Sequence, residues 1–280
     1  MVRTRSIKLV LAALVAIVLV GGAIWFVIHS MREWQTTKLM DAHLQEIVSM
    51  LDLPAAPDFH QRLDRIRTFI NDHSTHKIDD MFRANRGHPI RYAAGVIAHA
   101  RNPSLEPIHM ECSTRSNLMA RILRAMGYET RIVVLFNTKT NLKSHSFLEV
   151  LNPNTDRWET QDPDYDIYWR SRGARGRTAL ADAAENIEDI EPCGREGCGW
   201  DQVSREGIEA EKLRDLLDII SITDKQRRIR YALYTSRADL NRIYSKAQKQ
   251  GTFCQVEAKR CKQGFYDIRK FSAYAPGRPR

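Results

Sequence analysis

The chain has 280 residues, of which 28% are charged and 43% apolar, and a formal net charge of +9 at pH 7. Past its N-terminal segment this is the composition of an ordinary soluble globular protein, with about 250 residues for one large domain or one domain plus an appendage. The positive charge is spread along the sequence apart from two short basic runs, and no nucleic-acid motif appears, so no nucleic-acid partner is expected of an exported domain.

The chain opens with Arg3, Arg5 and Lys8, then runs from Leu9 to Ile28 without a charge. Twenty apolar residues at helical rise span about 30 Å, the thickness of a bilayer's hydrocarbon core. Trp25 and His29 fall at the far end, where amphipathic rings prefer the interface. The basic residues ahead of the segment keep the N-terminus in the cytoplasm. Residues 9–28 are therefore expected to form a transmembrane signal-anchor, with 1–8 cytoplasmic and the main domain periplasmic or extracellular. A cleaved signal peptide is the competing reading, but HSMREW offers no small-x-small cleavage site. Both readings export the domain.

Residues 33–104 read as a helical region. Leu39, Met40, Leu44, Ile47, Val48 and Leu51 recur at helical spacing, and Pro54 and Pro57 end the run. Asp58 is placed to cap a second helix with Phe59, Leu63, Ile66, Phe69 and Ile70 on one face. The stretch 73–90 is polar and irregular, with His73 and His76 expected at the surface, and RYAAGVIAHARN forms a further short helix.

From Cys112 the pattern sharpens. Leu118, Met119, Ile122, Leu123 and Met126 keep helical spacing, and Gly127 stands where a helix ends in a left-handed turn. Cys112 thus begins a helix, where free backbone N–H groups and the dipole favour a thiolate. The plainer reading is a buried cysteine packing as a small hydrophobe. Residues 128–136, 145–151 and 156–163 alternate as strands. A turn over Asn152–Thr155 pairs Leu151 with Asp156, and that register sets His145 across from Asp162 on one face. A thiol at a helix start beside an imidazole and a carboxylate is the arrangement for Cys–His–Asp nucleophilic catalysis. Cys112 is the nucleophile, His145 its base, and Asp162 fixes the ring. Glu149 and Trp158 form a structural cross-strand pair in the same register, and His109 is a loop residue.

Three pieces in order carry a family resemblance. They are Cys112 with Arg124, Gly127 and Arg131; Ser144-His145-Ser146-Phe147-Leu148-Glu149-Val150; and Trp158 followed by Asp162-Pro163. Together they resemble the transglutaminase-like superfamily over residues 105–170. The resemblance implies an α+β, papain/transglutaminase-like core, in which the helix carrying the cysteine packs on an antiparallel sheet. It also implies thiol chemistry on an amide of a protein or peptide substrate, by hydrolysis or by transfer to an amine; the superfamily includes catalytically dead scaffolds as well. Phe147 stands where that family has Trp, and Glu111 places an acid beside the thiol. The backbone N–H of Cys112 is one candidate oxyanion donor.

Residues 171–272 are expected to be a helical, disulfide-containing extension, with helices over GIEAEKLRDLLDII and DKQRRIRYALYTSRADLNRIYSKAQKQ, and 273–280 a disordered tail. The basic runs at 170–177 and 225–230 read as solvated surface, or else as a contact for an anionic envelope polymer. In an oxidising exterior Cys193, Cys198, Cys254 and Cys261 are expected to form disulfides, and of the three connectivities the local pairing 193–198 and 254–261, which closes two short loops, is the one expected. A zinc site is the alternative for these four, against their spacing. No ligand set or nucleotide motif points to a cofactor.

Overall fold

The structure, a computed structural model, describes residues 3–136, 144–180, 183–201, 204–205, 208–209, 211–223 and 229–234, with the backbone alone described at 3–17, 136, 184–185, 204–205, 208–209, 211–212, 219, 221, 223 and 229–234. The expected pair Cys254 and Cys261, the loop 137–143 and the tail 273–280 lie outside the described residues.

The chain begins with one continuous helix, α1 (Arg3–Met50). It joins the expected membrane span to the expected amphipathic helix without a break. Its C-terminal part buries Met40, Leu44 and Ile47, whereas Val18, Leu19, Val20, Ile24, Trp25, Phe26, Val27 and Ile28 are exposed on all sides. Among the described residues no helix is long and apolar enough to cross a membrane; residues 9–17 of the expected span lie outside those whose side chains are described.

Pro54 and Pro57 end the run as expected, and Asp58 caps α2 (Phe59–Asp72) by accepting the Gln61 backbone N–H at 2.8 Å. The next stretch is more regular than its polarity suggests. It holds β1 (Ser74–His76), α3 (Asp80–Asn85) capped by Asp79, and α4 (Pro89–Arg101). β1 pairs in parallel with β2 (Ile108–Met110), which runs directly into α5 (Cys112–Ala125). At Gly95 in α4 an added Cβ would lie 2.7 Å from the Ile108 side chain. Only a residue without a side chain lets α4 press this closely on the segment that delivers Cys112. Gly127, with φ of 87°, ends α5 in the left-handed turn expected of it.

β3 (Thr130–Phe136), β4 (Ser144–Asn152) and β5 (Arg157–Gln161) follow as a meander. Then come β6 (Tyr168–Ser171), β7 (Ile190–Gly194) and β8 (Gly197–Cys198), joined as a small antiparallel sheet, and the short pair β9 (Ser204–Arg205) and β10 (Ile208–Glu209). After α6 (Glu211–Arg214), β11 (Ile219–Thr223) and β12 (Ile229–Tyr234) return to the main sheet, whose order is β12-β11-β3-β4-β5. All its neighbours are antiparallel.

The helices expected over 207–220 and 224–250 are therefore corrected where described: only 211–214 is helical, and 219–223 and 229–234 are strands. Leu213, Leu216 and Leu217 fit a helix, but the Ile-rich run that follows is β-branched and finds the open edge of β3. Ile220 and Ile222 are buried at strand spacing, so sheet pairing overrides helical pattern.

The sheet is covered on both faces. Ile132, Leu148 and Val150 point into a core with Ile47, Leu63, Ile66, Ile97, Met119 and Ile122 of the helices. Val133, Leu135 and Phe147, one residue out of phase, pack with Tyr165, Ile167, Trp169, Ile187, Leu217 and Ile220. Each such fully buried aliphatic side chain contributes about 1.5–3 kcal/mol relative to exposure. The mixed α and β architecture, with the cysteine-bearing helix on an antiparallel sheet, agrees with the expectation from sequence.

Candidate active site

Cys112 is the first residue of α5 and is half-buried. Glu111 precedes it as the N-cap without a capping bond; its carboxylate instead accepts the Ser113 hydroxyl, in the first turn of α5, at 2.6 Å. Ser116, one turn on, donates to the Cys112 carbonyl at 2.8 Å and to the Ser146 carbonyl at 2.9 Å. One buried hydroxyl thus ties the cysteine's helix turn to the strand that carries His145.

His145 stands near the start of β4. Its Nε2 lies 2.6 Å from Asp162 Oδ2, and both side chains are buried. The hairpin that brings them together differs in register from expectation. Leu151 pairs with Trp158 and not Asp156, because the turn lies one residue later, with Asp156 at φ of 54°. The shift is by two residues, which keeps every side chain on its face. The ladder ends at Gln161, and Asp162 bridges Ile167. His145 and Asp162 are therefore diagonal neighbours on one face, close enough for their side chains to meet. The Glu149–Trp158 pairing is corrected by the same shift: Glu149 faces Thr160. Arg131 joins them, donating to Glu149 from Nε at 2.6 Å and lying 4.1 Å over the Trp158 ring.

Burial alone would push the His145 imidazole down. The charge and hydrogen bond of Asp162, with those of Cys112, outweigh it and hold His145 well above the usual histidine value. Nε2 is engaged by Asp162, which leaves Nδ1 for the thiol. A protonated imidazole between carboxylate and sulfur is the resting state of an ion-paired thiol nucleophile.

A second carboxylate enters the site. Asp164 is fully buried, its Oδ2 lies 3.9 Å from His145 Nδ1, and donor atoms of Cys112, His145 and Asp164 all fall within 4.8 Å of one another. Asp164 Oδ1 receives Arg115 Nη1 at 3.1 Å and lies 2.7 Å from His76 Nδ1. Arg115 further donates to the Ser74 hydroxyl and carbonyl at 2.9 and 2.5 Å. The loop 162–167 is held from the helical side too. Asn71 donates to the Pro163 and Asp164 carbonyls, Thr68 donates to Asp166, and Arg67 donates to Asp166 at 2.8 Å.

Sequence reasoning missed Asp164 and Arg115. A signal for Arg115 existed, since it precedes Leu118, Met119 and Ile122 on the buried stripe of α5, where a charge requires a partner. The histidines at 73 and 76 are corrected from surface residues. His76 holds the buried Asp164, and His73 Nδ1 lies 2.9 Å from His99 Nδ1, with burial and His99 lowering its pKa. His109 is buried in β2 between Asp79 and Glu106, away from the loop role expected of it.

The basic run 170–177 is not simply solvated: Arg170 pairs with Glu191, and Arg177 pairs with Asp64 and stacks on Tyr168. Cys193 and Cys198 form the expected disulfide across β7 and β8. Arg195 in that hairpin grips Asp166 and Asp72, and these bonds raise its pKa against the opposing effect of burial.

Cys112, His145 and the Asp162-Pro163 motif, separate in sequence, thus close on one point. This is the arrangement that the resemblance to the transglutaminase-like superfamily implies. No family model and no curated protein matches the sequence. Among solved structures, a TGase is 17% identical, covering 50% of this chain and 34% of its own, with a TM-score of 0.31. A Cytophaga hutchinsonii protein described as a candidate cysteine protease is 13% identical, covering 46% and 37%, also at 0.31. Rad4–Rad23 bound to a 6-4 photoproduct UV lesion is 15% identical, covering 59% and 43%, at 0.28. The chain thus spans under half the length of each.

Proposed function

We propose that the chain is a membrane-anchored, outward-facing thiol enzyme of the transglutaminase-like type, acting on an amide bond of a protein or peptide. The observation that carries the reading is the 2.6 Å contact of His145 with Asp162, with Cys112 on the other side of the ring. Cys112 Sγ attacks the amide carbonyl and forms an S–C bond. The C–N bond breaks, and the amine leaves with the proton held by His145. Water, activated by the same imidazole, then releases the acid and frees the thiol. Hydrolysis is preferred over acyl transfer because it needs no amine-binding site. The anchor is supported by the apolar sequence Leu9–Ile28 and by side chains exposed on every side of α1 from Val18 to Ile28, a surface that a bilayer would cover.

The test is the rate of iodoacetamide labelling of Cys112 against pH, in wild type and His145→Ala. The reading requires labelling that persists at low pH in wild type and is lost in the variant. Equal profiles would identify a binding scaffold built on the same fold.

A further inference from the structure

The second carboxylate has no place in the thiol mechanism, yet it is buried, fixed and aimed at the same point. We propose that Cys112 Sγ, His145 Nδ1 and Asp164 Oδ2 form a zinc site whose occupation closes the thiol to substrate. The proposal uses the same atoms as the thiol reading but does not depend on turnover.

Three kinds of donor that zinc accepts, a sulfur, an imidazole nitrogen and a carboxylate oxygen, lie within 4.8 Å of one another. Around a tetrahedral zinc such donors stand roughly 3.3–3.6 Å apart. Nδ1 and Oδ2, at 3.9 Å, need only a small contraction to reach that spacing. The surrounding shell is already that of a metal site. A ligating histidine commonly gives its other ring N–H to a carboxylate, which fixes the tautomer, and His145 Nε2 faces Asp162 at 2.6 Å. Asp164 is itself oriented, because Arg115 and His76 hold Oδ1. Charge also balances: with His145 neutral, zinc and Arg115 together offset the thiolate and the two carboxylates. Cys112 is half-buried, so an ion has access from the sulfur side. Binding forms Zn–S, Zn–N and Zn–O bonds and releases to solvent the proton shared by Sγ and Nδ1. Three protein ligands leave one coordination position for water.

The experiment uses the full chain in detergent micelles. Zinc chloride is titrated against a chromogenic chelator, and iodoacetamide labelling of Cys112 is read by peptide mass. Zinc is expected to protect Cys112 stoichiometrically, while magnesium at the same concentration leaves labelling unchanged. Cys112→Ser should lose one bound zinc. Asp162→Asn, which keeps all three ligands, should weaken binding about 10–100-fold. Asp164→Asn should weaken it at least as much, with near-UV circular dichroism checking that it still folds. Undiminished labelling at saturating zinc, or the same zinc stoichiometry and affinity in Cys112→Ser as in wild type, overturns the proposal. Zinc protection without His145-dependent labelling would overturn the enzyme reading and keep the site; the reverse result would do the opposite.

Discussion

Arg115 lies one helical turn beyond Cys112 and closes its guanidinium on Asp164, two residues beyond Asp162. The helix that presents the thiol therefore also fixes the loop that presents the carboxylates. Both charges are buried, so the pair is costly to break from one side. Arg115→Ala should destabilise the fold by about 3–5 kcal/mol, because it takes the guanidinium from a buried carboxylate and leaves His76 to hold it. Arg115→Met with Asp164→Leu, which removes both charges, should recover part of that loss in urea unfolding. No recovery in the double variant would show that the pair is not the cause.

The two carboxylates beside His145 make different contacts. Asp162 is at hydrogen-bond distance and Asp164 is not. Asp162→Asn should lower kcat/KM for amide cleavage on the order of 10²–10⁴-fold. The loss in Asp164→Asn should be at least tenfold smaller once corrected for folded fraction. Kinetics in which Asp164→Asn is the worse variant would exchange their roles.

His145 links stability to pH. Its folded pKa lies above the unfolded value of about 6.5. Its contribution is therefore fully present below that pH and is lost as pH rises through the folded value. The difference in urea midpoint between wild type and His145→Gln should be largest near pH 6 and shrink toward alkaline pH. A difference that widens between about pH 6 and 9 would contradict the raised value.

The Cys193–Cys198 disulfide closes a short loop, with a sequence separation of 5. Chain-entropy reasoning gives it about 2 kcal/mol. Replacing both cysteines by serine should cost roughly that amount in thermal unfolding. It should also loosen Arg195 on Asp166, read as faster hydrogen exchange at residues 162–167. Unchanged exchange there would mean that the hairpin and the loop are independent.

Much of the site was legible because local rules agree with the fold. The apolar stripe after Cys112 and Gly127 behind it set the ends of α5. Alternation set β4 and β5, and the parity of the hairpin, not its exact register, was enough to put His145 and Asp162 on one face. Arg115, Asp164 and His76 were less legible, because their meaning comes from contacts across 49 and 88 residues. A buried charge announces that it needs a partner but does not name one. The strands at 219–223 and 229–234 were hidden for a related reason: the helical spacing of Leu213, Leu216 and Leu217 runs straight into the isoleucines that follow, and the partner that draws those into the sheet, the open edge of β3, is distant in sequence.

α1 carries one further consequence. Between Ile28 and Met40 it has neither proline nor glycine, and Met40, Leu44 and Ile47 are built into the core. With residues 9–28 in a bilayer, as proposed, the domain would not swing on a tether. Twelve residues of helix would hold it on a stiff stalk about 18 Å from the surface. Cys112 would then work at a set height and bearing above the lipid. Substrates would have to be brought to that level, and inserting a few glycines after Ser30 would change which of them are reached without altering any residue of the site.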